Sequence, residues 1–205
     1  TNSLDHVTTY ADYNVHGQAE TIIAANGLTT TRTFNARGQL LSSTTGGLTT
    51  SYAYDAAGDL QSITRPGEST ITYGYDAAGR INSITDDEGN AITYAYDSEG
   101  RKTGEEIRDP EGALTRYLNF EYDDAGRLST VLLPGNAERN FDYDEVGNLV
   151  RTVNATGLAT EMHYDLLSRL ELMLEDPEGE DIDTAYSYDA HDNITGITDA
   201  RDNVT

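Results

Sequence analysis

Seven aspartates, each directly after a tyrosine, are the residues of this sequence whose type and spacing could carry chemistry. They are Asp55, Asp76, Asp97, Asp123, Asp144, Asp165 and Asp189. Glycoside hydrolysis needs two carboxylates that face each other across one cleft. One aspartate per repeated unit forms a row instead, and an aspartate at the start of a turn accepts backbone N–H groups. The pattern therefore predicts turn capping, and we assign no catalytic residue and expect no enzyme.

Groups of oxygen and nitrogen ligands that could hold a metal ion are the second candidate chemistry. Residues 86–90 (Asp-Asp-Glu-Gly-Asn) have the oxygen density of a calcium loop but lack the spacing and the distal glutamate of an EF-hand. The acidic group Glu180, Asp181 and Asp183 has the same character. The histidines, His6, His16, His163 and His191, show no ligand spacing, and the chain has no cysteine. The sequence predicts no metal site and no cofactor.

The seven aspartates belong to one motif, Tyr-Asp-x-x-Gly-Arg-Leu, that recurs along almost the whole chain. Looser copies start at Tyr13 and Phe34. A fixed period of 20 to 50 residues is typical of stacked supersecondary units that bury their apolar faces against their neighbours. We assign a structural role to Tyr54, Asp55, Gly58, Tyr75, Asp76, Gly79, Tyr96, Asp97, Gly100, Tyr122, Asp123, Gly126, Tyr143, Asp144, Gly147, Tyr164, Asp165, Tyr188 and Asp189. We interpret residues 1–205 as a single array of about nine repeats of about 21 residues.

Aromatic residues occupy two columns of this repeat, the motif tyrosine and the position two residues before it. Fifteen of the 17 aromatic residues fall in these columns, and only Tyr10 and Tyr117 lie elsewhere. The residues between them are small or polar, so apolar and polar positions alternate with a period of two. This alternation predicts a β-strand with one apolar face in every repeat. We expect the aromatic columns to form ladders of cross-strand pairs on that face.

The Asp-x-x-Gly part of the motif predicts a tight hairpin turn, with positive φ at the glycine. A second strand follows, such as Leu60-Gln61-Ser62-Ile63-Thr64, whose apolar pair is three residues apart. A β-bulge or a change of face would explain that spacing. A second turn, often with Pro or Gly, closes each unit, and we expect it to hold the extra residues of the two longer repeats. Residues 166–174 could compete as a helix, but their register favours a strand. The fold class is therefore all-β, with about 18 strands in consecutive antiparallel hairpins.

Composition disfavours several partners. Asp and Glu number 36 against 13 Lys and Arg, which gives a net charge of −23. Phosphate backbones bind through Lys and Arg, so we expect no nucleic acid and no heparin-like partner, and the charge favours solubility. The sequence has no apolar run of membrane-spanning length and no signal-peptide pattern at its start. Because it begins without Met and ends on what looks like the opening of another repeat, we interpret it as a segment excised from a longer protein.

These residues resemble the YD repeats of the Rhs family. The segment Tyr73-Gly74-Tyr75-Asp76-Ala77-Ala78-Gly79-Arg80-Ile81 matches the family pattern, and the resemblance covers roughly residues 10 to 205. In that family, YD repeats wind an antiparallel sheet into a hollow spiral shell. The shells of bacterial Rhs polymorphic toxins and insecticidal toxin complexes enclose a toxin polypeptide, and animal teneurins use a similar shell in cell adhesion.

The resemblance implies a non-enzymatic segment of shell wall, curved or spiral, that encloses or carries a toxin polypeptide. Its partners would be neighbouring YD repeats of the same or parent chain and the enclosed polypeptide. Its location would be secreted or cell-surface, as part of a larger bacterial protein. The alternative is a cell-surface adhesin or a carbohydrate-binding module, in which the tyrosine columns would stack sugars. We favour the tyrosines as core residues, which need no ligand.

Overall fold

The computed structural model describes residues 7–176, 182–201 and 203–204, with Ile182 described by its backbone alone. His6, Glu180 and Asp181 therefore lie outside the described residues. The chain divides into two compact units. Unit 1 comprises Thr1–Tyr94 and Glu106–Thr115, and unit 2 comprises Ala95–Glu105 and Arg116–Thr205.

Within the described residues the chain forms 18 β-strands and one short 3-10 turn. The first nine are β1 (Thr9–Tyr13), β2 (Ala19–Ile23), β3 (Thr29–Phe34), β4 (Leu40–Thr45), β5 (Leu48–Tyr54), β6 (Leu60–Thr64), β7 (Thr70–Tyr75), β8 (Ile81–Asp86) and β9 (Ala91–Tyr96). The others are β10 (Lys102–Arg108), β11 (Leu114–Tyr122), β12 (Leu128–Leu133), β13 (Ala137–Tyr143), β14 (Leu149–Val153), β15 (Ala159–Tyr164), β16 (Leu170–Glu175), β17 (Ile182–Tyr188) and β18 (Ile194–Asp199). The 3-10 turn is Pro134–Asn136. The predicted all-β class is confirmed.

Within each unit, consecutive strands pair antiparallel. In unit 1 this holds from β1 to β9. In unit 2 it holds from β11 to β18. The strands form where the sequence alternates: in β5, Tyr52 and Tyr54 are half-buried while Ser51 and Ala53 are exposed. Consecutive hairpins are therefore the building blocks of both units, as predicted.

The spacing of the second strand is explained by a β-bulge, and its strand does not change face. Tyr54 pairs with Leu60 and Ala53 pairs with Ser62, so Gln61 is the extra residue. The bulge places Leu60 and Ile63, three residues apart, opposite Tyr54 and Tyr52, two residues apart. The same register shift recurs beside the aromatic that ends β3, β7, β11, β13, β15 and β17.

The aromatic ladder differs from the prediction. Tyr52 pairs with Ile63, Tyr73 with Ile84, and Phe120 with Val131. The expectation of cross-strand aromatic pairs is therefore wrong, because motif strands alternate with aliphatic second strands in an array of consecutive hairpins. The result is a stripe in which aromatic and aliphatic side chains alternate from strand to strand.

The extra residues of the longest repeat lie mainly in its strands. Between Tyr96 and Tyr122, β10 has seven residues and β11 has nine, against six in both β8 and β9. The expectation that the second turn absorbs them is wrong for this repeat. The added length makes a longer hairpin, closed by a bond from the Thr115 hydroxyl to the Ile107 carbonyl, 2.9 Å. In the other long repeat, the second turn is predicted at Asp176-Pro177-Glu178-Gly179, and residues 177–181 lie outside the described residues.

Few side chains are fully buried in either unit. Ala159, at 7% exposure, is the one apolar side chain of the described residues that is buried, and the motif tyrosines are half-buried. Residues 170–175 form strand β16, so the strand prediction for the ambiguous segment 166–174 is confirmed from Leu170 onward. Among the described residues, no helix is long and apolar enough to cross a membrane.

Candidate functional site

The motif aspartate organises the turn that follows it. In the turn after β11, Asp123 Oδ1 accepts the backbone N–H groups of Ala125 (3.0 Å) and Arg127 (2.8 Å). The backbone N–H of Asp123 in turn donates to the carbonyl of Arg127, and that of Gly126 donates to the carbonyl of Asp123. The short carboxylate thus satisfies amides that the hairpin leaves without strand partners, which is why Asp suits this position.

The fourth residue of the turn adopts the left-handed conformation that glycine favours. Its φ is positive at Gly58 (105°), Gly79 (77°), Gly100 (87°), Gly126 (80°) and Gly147 (100°), as the turn assignment requires. Two repeats place other residues there, Ser168 (φ 61°) and Asp192 (φ 65°).

The arginine after that glycine closes the turn through its side chain. Nε of Arg80, Arg101, Arg127 and Arg169 each donates to Oδ2 of the aspartate four residues earlier, at 2.7 Å. Within unit 2, the guanidinium also lies over the motif tyrosine of the following repeat. Arg101 lies 4.7 Å from the Tyr122 ring centre, Arg127 lies 4.7 Å from that of Tyr143, and Arg169 lies 4.8 Å from that of Tyr188. Guanidinium groups over aromatic faces are attracted by the ring quadrupole.

The motif tyrosine completes the connection through its hydroxyl. Oη of Tyr54, Tyr75, Tyr122, Tyr164 and Tyr188 donates to the backbone carbonyls of Leu40, Leu60, Lys102, Leu149 and Leu170 respectively, at 2.8 to 3.0 Å. In each case the acceptor is the first residue of the second strand in the preceding repeat. A phenylalanine at this position could not make the bond.

We call the combination of turn aspartate, turn arginine, next-repeat tyrosine and its carbonyl acceptor the inter-repeat latch. Its full form comprises Asp97, Arg101, Tyr122 and the carbonyl of Lys102. Arg127 makes a variant of the latch, in which it contacts the Tyr143 ring and donates from Nη1 to the carbonyl of Asp144, 2.9 Å. The latch joins repeats that are neighbours both in sequence and in the sheet. Each motif carboxylate remains hydrogen-bonded within its own turn.

The electrostatics follow from these bonds. The pKa values of all seven motif aspartates lie below the ordinary value of 3.8. At Asp123 the largest cause is the backbone N–H of Arg127, with the Arg127 side chain adding to it. At Asp97 the strongest single influence is desolvation, which raises the pKa, but the bonds from Arg101 together outweigh it. Carboxylates that stay ionised in this way are suited to accepting hydrogen bonds from the backbone N–H groups and the arginine of their turn.

The predicted motif residues all lie at the end of the hairpins where the Asp-x-x-Gly turns are. Each tyrosine ends a motif strand, and each aspartate and glycine lies in the turn after it. Within each unit they form a row with one set per hairpin, and the structure brings the sets together with a neighbouring repeat. Sequence reasoning missed the arginine and the tyrosine hydroxyl as inter-repeat contacts. One feature of the sequence could have indicated the hydroxyl contact. All seven strict copies have Tyr at the motif position, whereas the column two residues earlier also contains Phe and Met.

Of the other candidate ligands, His16 and His191 lie in turns, His163 lies in β15, Asp183 lies in β17, and Asp86 ends β8 before the turn at 87–90. Asp86 accepts bonds from the backbone N–H and the side chain of Asn90, both at 2.8 Å, so its oxygens serve a turn of the same design. In the described part of the chain, no group of three or more His, Asp or Glu side chains is placed to hold a metal ion.

Comparison with known proteins places the fold. A family model described as teneurin YD-shell matches residues 5–159. The crystal structure of TcdB2-TccC3-Cdc42 is similar over 90% of this chain, with a TM-score of 0.73 and 18% identity. The crystal structure of TcdB2-TccC3 without its hypervariable C-terminal region is similar over 92%, with a TM-score of 0.74 and 19% identity. A Photorhabdus luminescens Tc holotoxin pore matches over 97%, with a TM-score of 0.54 and 16% identity.

The chain spans a small part of those structures, covering 12%, 12% and 16% of the respective chains. Their likeness therefore concerns the repeated sheet. No curated protein sequence matches the chain.

Proposed function

The chain belongs to the teneurin YD-shell family, and from that premise we propose that it is a wall segment of a shell that encloses or carries a toxin polypeptide. The segment has no catalytic activity of its own in this proposal. It acts as part of a larger secreted or cell-surface bacterial protein, and its partners are neighbouring YD repeats and the enclosed chain. Residues 1–205 serve as one continuous array of repeats.

The observation that carries the proposal is the inter-repeat latch. Each latch ties a repeat to the next through side chains that the turn has already fixed, such as Arg127 to Tyr143 and the Asp144 carbonyl. A wall must stay continuous along its repeats, since a repeat protein gains stability from interfaces between neighbours. The latch supplies that continuity in place of a thick core, because buried side chains are scarce among the described residues.

The same geometry argues against a sugar platform. A ring that stacks on a sugar must offer an open face. In unit 2 the rings of Tyr122, Tyr143 and Tyr188 each have a guanidinium within 4.8 Å of the ring centre. These three rings therefore give the carbohydrate-binding alternative no support.

General-acid chemistry at the motif carboxyls is equally disfavoured. The motif carboxyls accept backbone N–H groups and have lowered pKa values, as Asp55 does through the amides of Asp59 and Gly58. A general acid at neutral pH requires the opposite, a raised pKa.

Limited proteolysis of the natural full-length protein tests enclosure. We expect an internal polypeptide to survive a protease concentration that digests it once the shell has been unfolded in urea. Equal digestion before and after unfolding would contradict enclosure.

A glycan panel tests the alternative on the isolated segment, which should show no saturable binding. A glycan whose saturable binding is lost in Tyr143→Ala would replace the proposal by the carbohydrate-binding alternative.

A further inference from the structure

Two neighbouring motif turns of unit 2 carry large apolar side chains at their tips. These are Val146 in the turn after β13, and Leu166 and Leu167 in the turn after β15, and we call them the tip patch. Leu166 is fully exposed, Val146 is 77% exposed and Leu167 is 70% exposed. Four other motif turns have small or polar pairs at the same positions, Ala56-Ala57, Ala77-Ala78, Ser98-Glu99 and Asp124-Ala125, while the turn after β1 has a single large apolar residue there, Val15. Nothing in the turn itself requires the larger side chains.

The tip patch stands on a fixed frame. Asn148 Nδ2 donates to Asp144 Oδ2 (2.9 Å) within its own turn and to Ser168 Oγ (3.2 Å) in the next turn. Arg169 Nε donates to Asp165 Oδ2 at 2.7 Å and closes the second turn. Apolar groups held in place at the surface mark interaction sites more often than isolated exposed residues do.

A concavity of about 620 Å³ adjoins the patch. Val146, Leu166, Asp142 and Glu161 are among the residues that line it. Arg151 lies between the two carboxylates at long range, 3.7 Å from Asp142 Oδ2 and 3.6 Å from Glu161 Oε1. One cation at such distances leaves the pair of carboxylates able to accept further hydrogen bonds.

We propose that the tip patch and its concavity dock a cationic, apolar segment of a partner polypeptide. A leucine-sized side chain of the partner enters the concavity against Val146 and Leu166, and its lysine or arginine side chains pair with Asp142 and Glu161. Charge selects this occupant, because the chain carries a net charge of −23. A second copy of the chain or an anionic lipid surface would meet repulsion over the same area. The site does not depend on what the shell encloses.

The probe is a dye-labelled 14-residue peptide of leucine and lysine, titrated in fluorescence anisotropy. We expect saturable binding that weakens by about tenfold or more in the double variant Leu166→Ala, Leu167→Ala, since loss of anchor side chains dominates binding energies. That variant gives the turn the same Ala-Ala pair that residues 77–78 have in an equivalent turn. Its melting temperature should therefore not fall. Asp142→Asn with Glu161→Gln should weaken binding and flatten its salt dependence.

The controls separate this site from general attraction to an acidic protein. Leu48→Ala removes an exposed leucine of unit 1 and should leave binding unchanged. A leucine and glutamate peptide should not bind. Equal affinity of the double leucine variant, equal binding of the two peptides, or no binding at millimolar peptide would each overturn the proposal. Preferential binding of the chain to neutral lipid vesicles, lost in the same double variant, would also overturn it in favour of a membrane contact.

Discussion

The turn at residues 35–39 in unit 1 and the turn at residues 123–127 in unit 2 have the same backbone with different charges. Asn35 and Gln39 replace the motif Asp and Arg, yet the N–H of Gln39 still donates to Asn35 Oδ1 at 3.0 Å. Asn35 Nδ2 donates to Gln39 Oε1 at 2.7 Å, where Arg127 Nε donates to Asp123 Oδ2 at 2.7 Å. The turn geometry therefore does not need an ion pair.

Both turns also reach the following repeat through the residue that closes them. Gln39 Nε2 donates to the Gly58 carbonyl at 2.8 Å, and Arg127 Nη1 donates to the Asp144 carbonyl at 2.9 Å. The charged turn adds a guanidinium over the Tyr143 ring. The comparison teaches that hydrogen bonds set the shape of the latch, while charge adds the ring contact and makes the latch sensitive to salt and pH.

The largest effect should come from the tyrosine of a complete latch. Tyr122→Ala removes a half-buried ring, the 2.8 Å bond to the Lys102 carbonyl and the Arg101 contact. We expect a loss of about 2–3 kcal/mol in the free energy of unfolding, less than the 3–5 kcal/mol for a fully buried aromatic. Tyr13→Ala is the matched control, because Tyr13 is 60% exposed, and should cost under about 1 kcal/mol. Urea denaturation measures both, and equal losses would show that the latch contributes nothing.

The next effect concerns the backbone that every turn shares, charged or neutral. Gly126→Ala forces a side chain onto φ 80° and brings a Cβ to 3.2 Å from Arg101 Nη1, so it should destabilise by about 1–2 kcal/mol. Ser168→Gly, at the equivalent position with φ 61°, relieves strain but loses the 3.2 Å bond from Asn148, so its net effect should be under about 0.5 kcal/mol. Thermal melts of the two variants test the pair, and an equal loss in both would refute the shared turn strain.

A smaller effect should follow from conversion of the charged turn into the neutral one. Arg127→Gln keeps a donor for the next repeat and removes the ion pair and the ring contact. We expect a loss of about 0.2–1 kcal/mol at low salt, since partly exposed ion pairs contribute little. The difference from the wild type should shrink at about 1 M salt, where charges are screened within a few ångströms. A difference that grows with salt would show that the ring contact acts by burial alone.

The smallest effect per turn is the response to pH. The pKa of Asp123 is lowered in the folded chain, chiefly by the N–H of Arg127. Its contribution to stability is therefore complete above the unfolded value of 3.8 and is lost as the pH falls through the lower folded pKa. NMR amide shifts of the turn at 123–127 should stay constant from pH 8 to 5 and change below about pH 4. Asn35 and Gln39, at the ends of the turn at 35–39, do not titrate. Their amide shifts should therefore stay constant over the same pH range.

Much of the fold could be read from the sequence because its signals are local. Alternation in segments such as 50–54 requires only neighbouring residues, and so does the Asp-x-x-Gly turn. The latch could not be read in the same way. Tyr122 and Lys102 are 20 residues apart, and their contact depends on the register of strands on either side of a long hairpin. The bulge at Gln61 also required the pairing of two strands, since the sequence allowed either a bulge or a change of face.

The sequence by itself determined the period, the strand and turn alternation, the all-β class and the family resemblance. These follow from side-chain direction and turn chemistry within a few residues of each position. Only the tertiary structure decided which side chains cross to the next repeat, where the longest repeat stores its extra residues, and which tips remain exposed. Those outcomes depend on strand register and burial, which are set by contacts between segments about 20 residues apart and are not encoded in the local pattern of either segment.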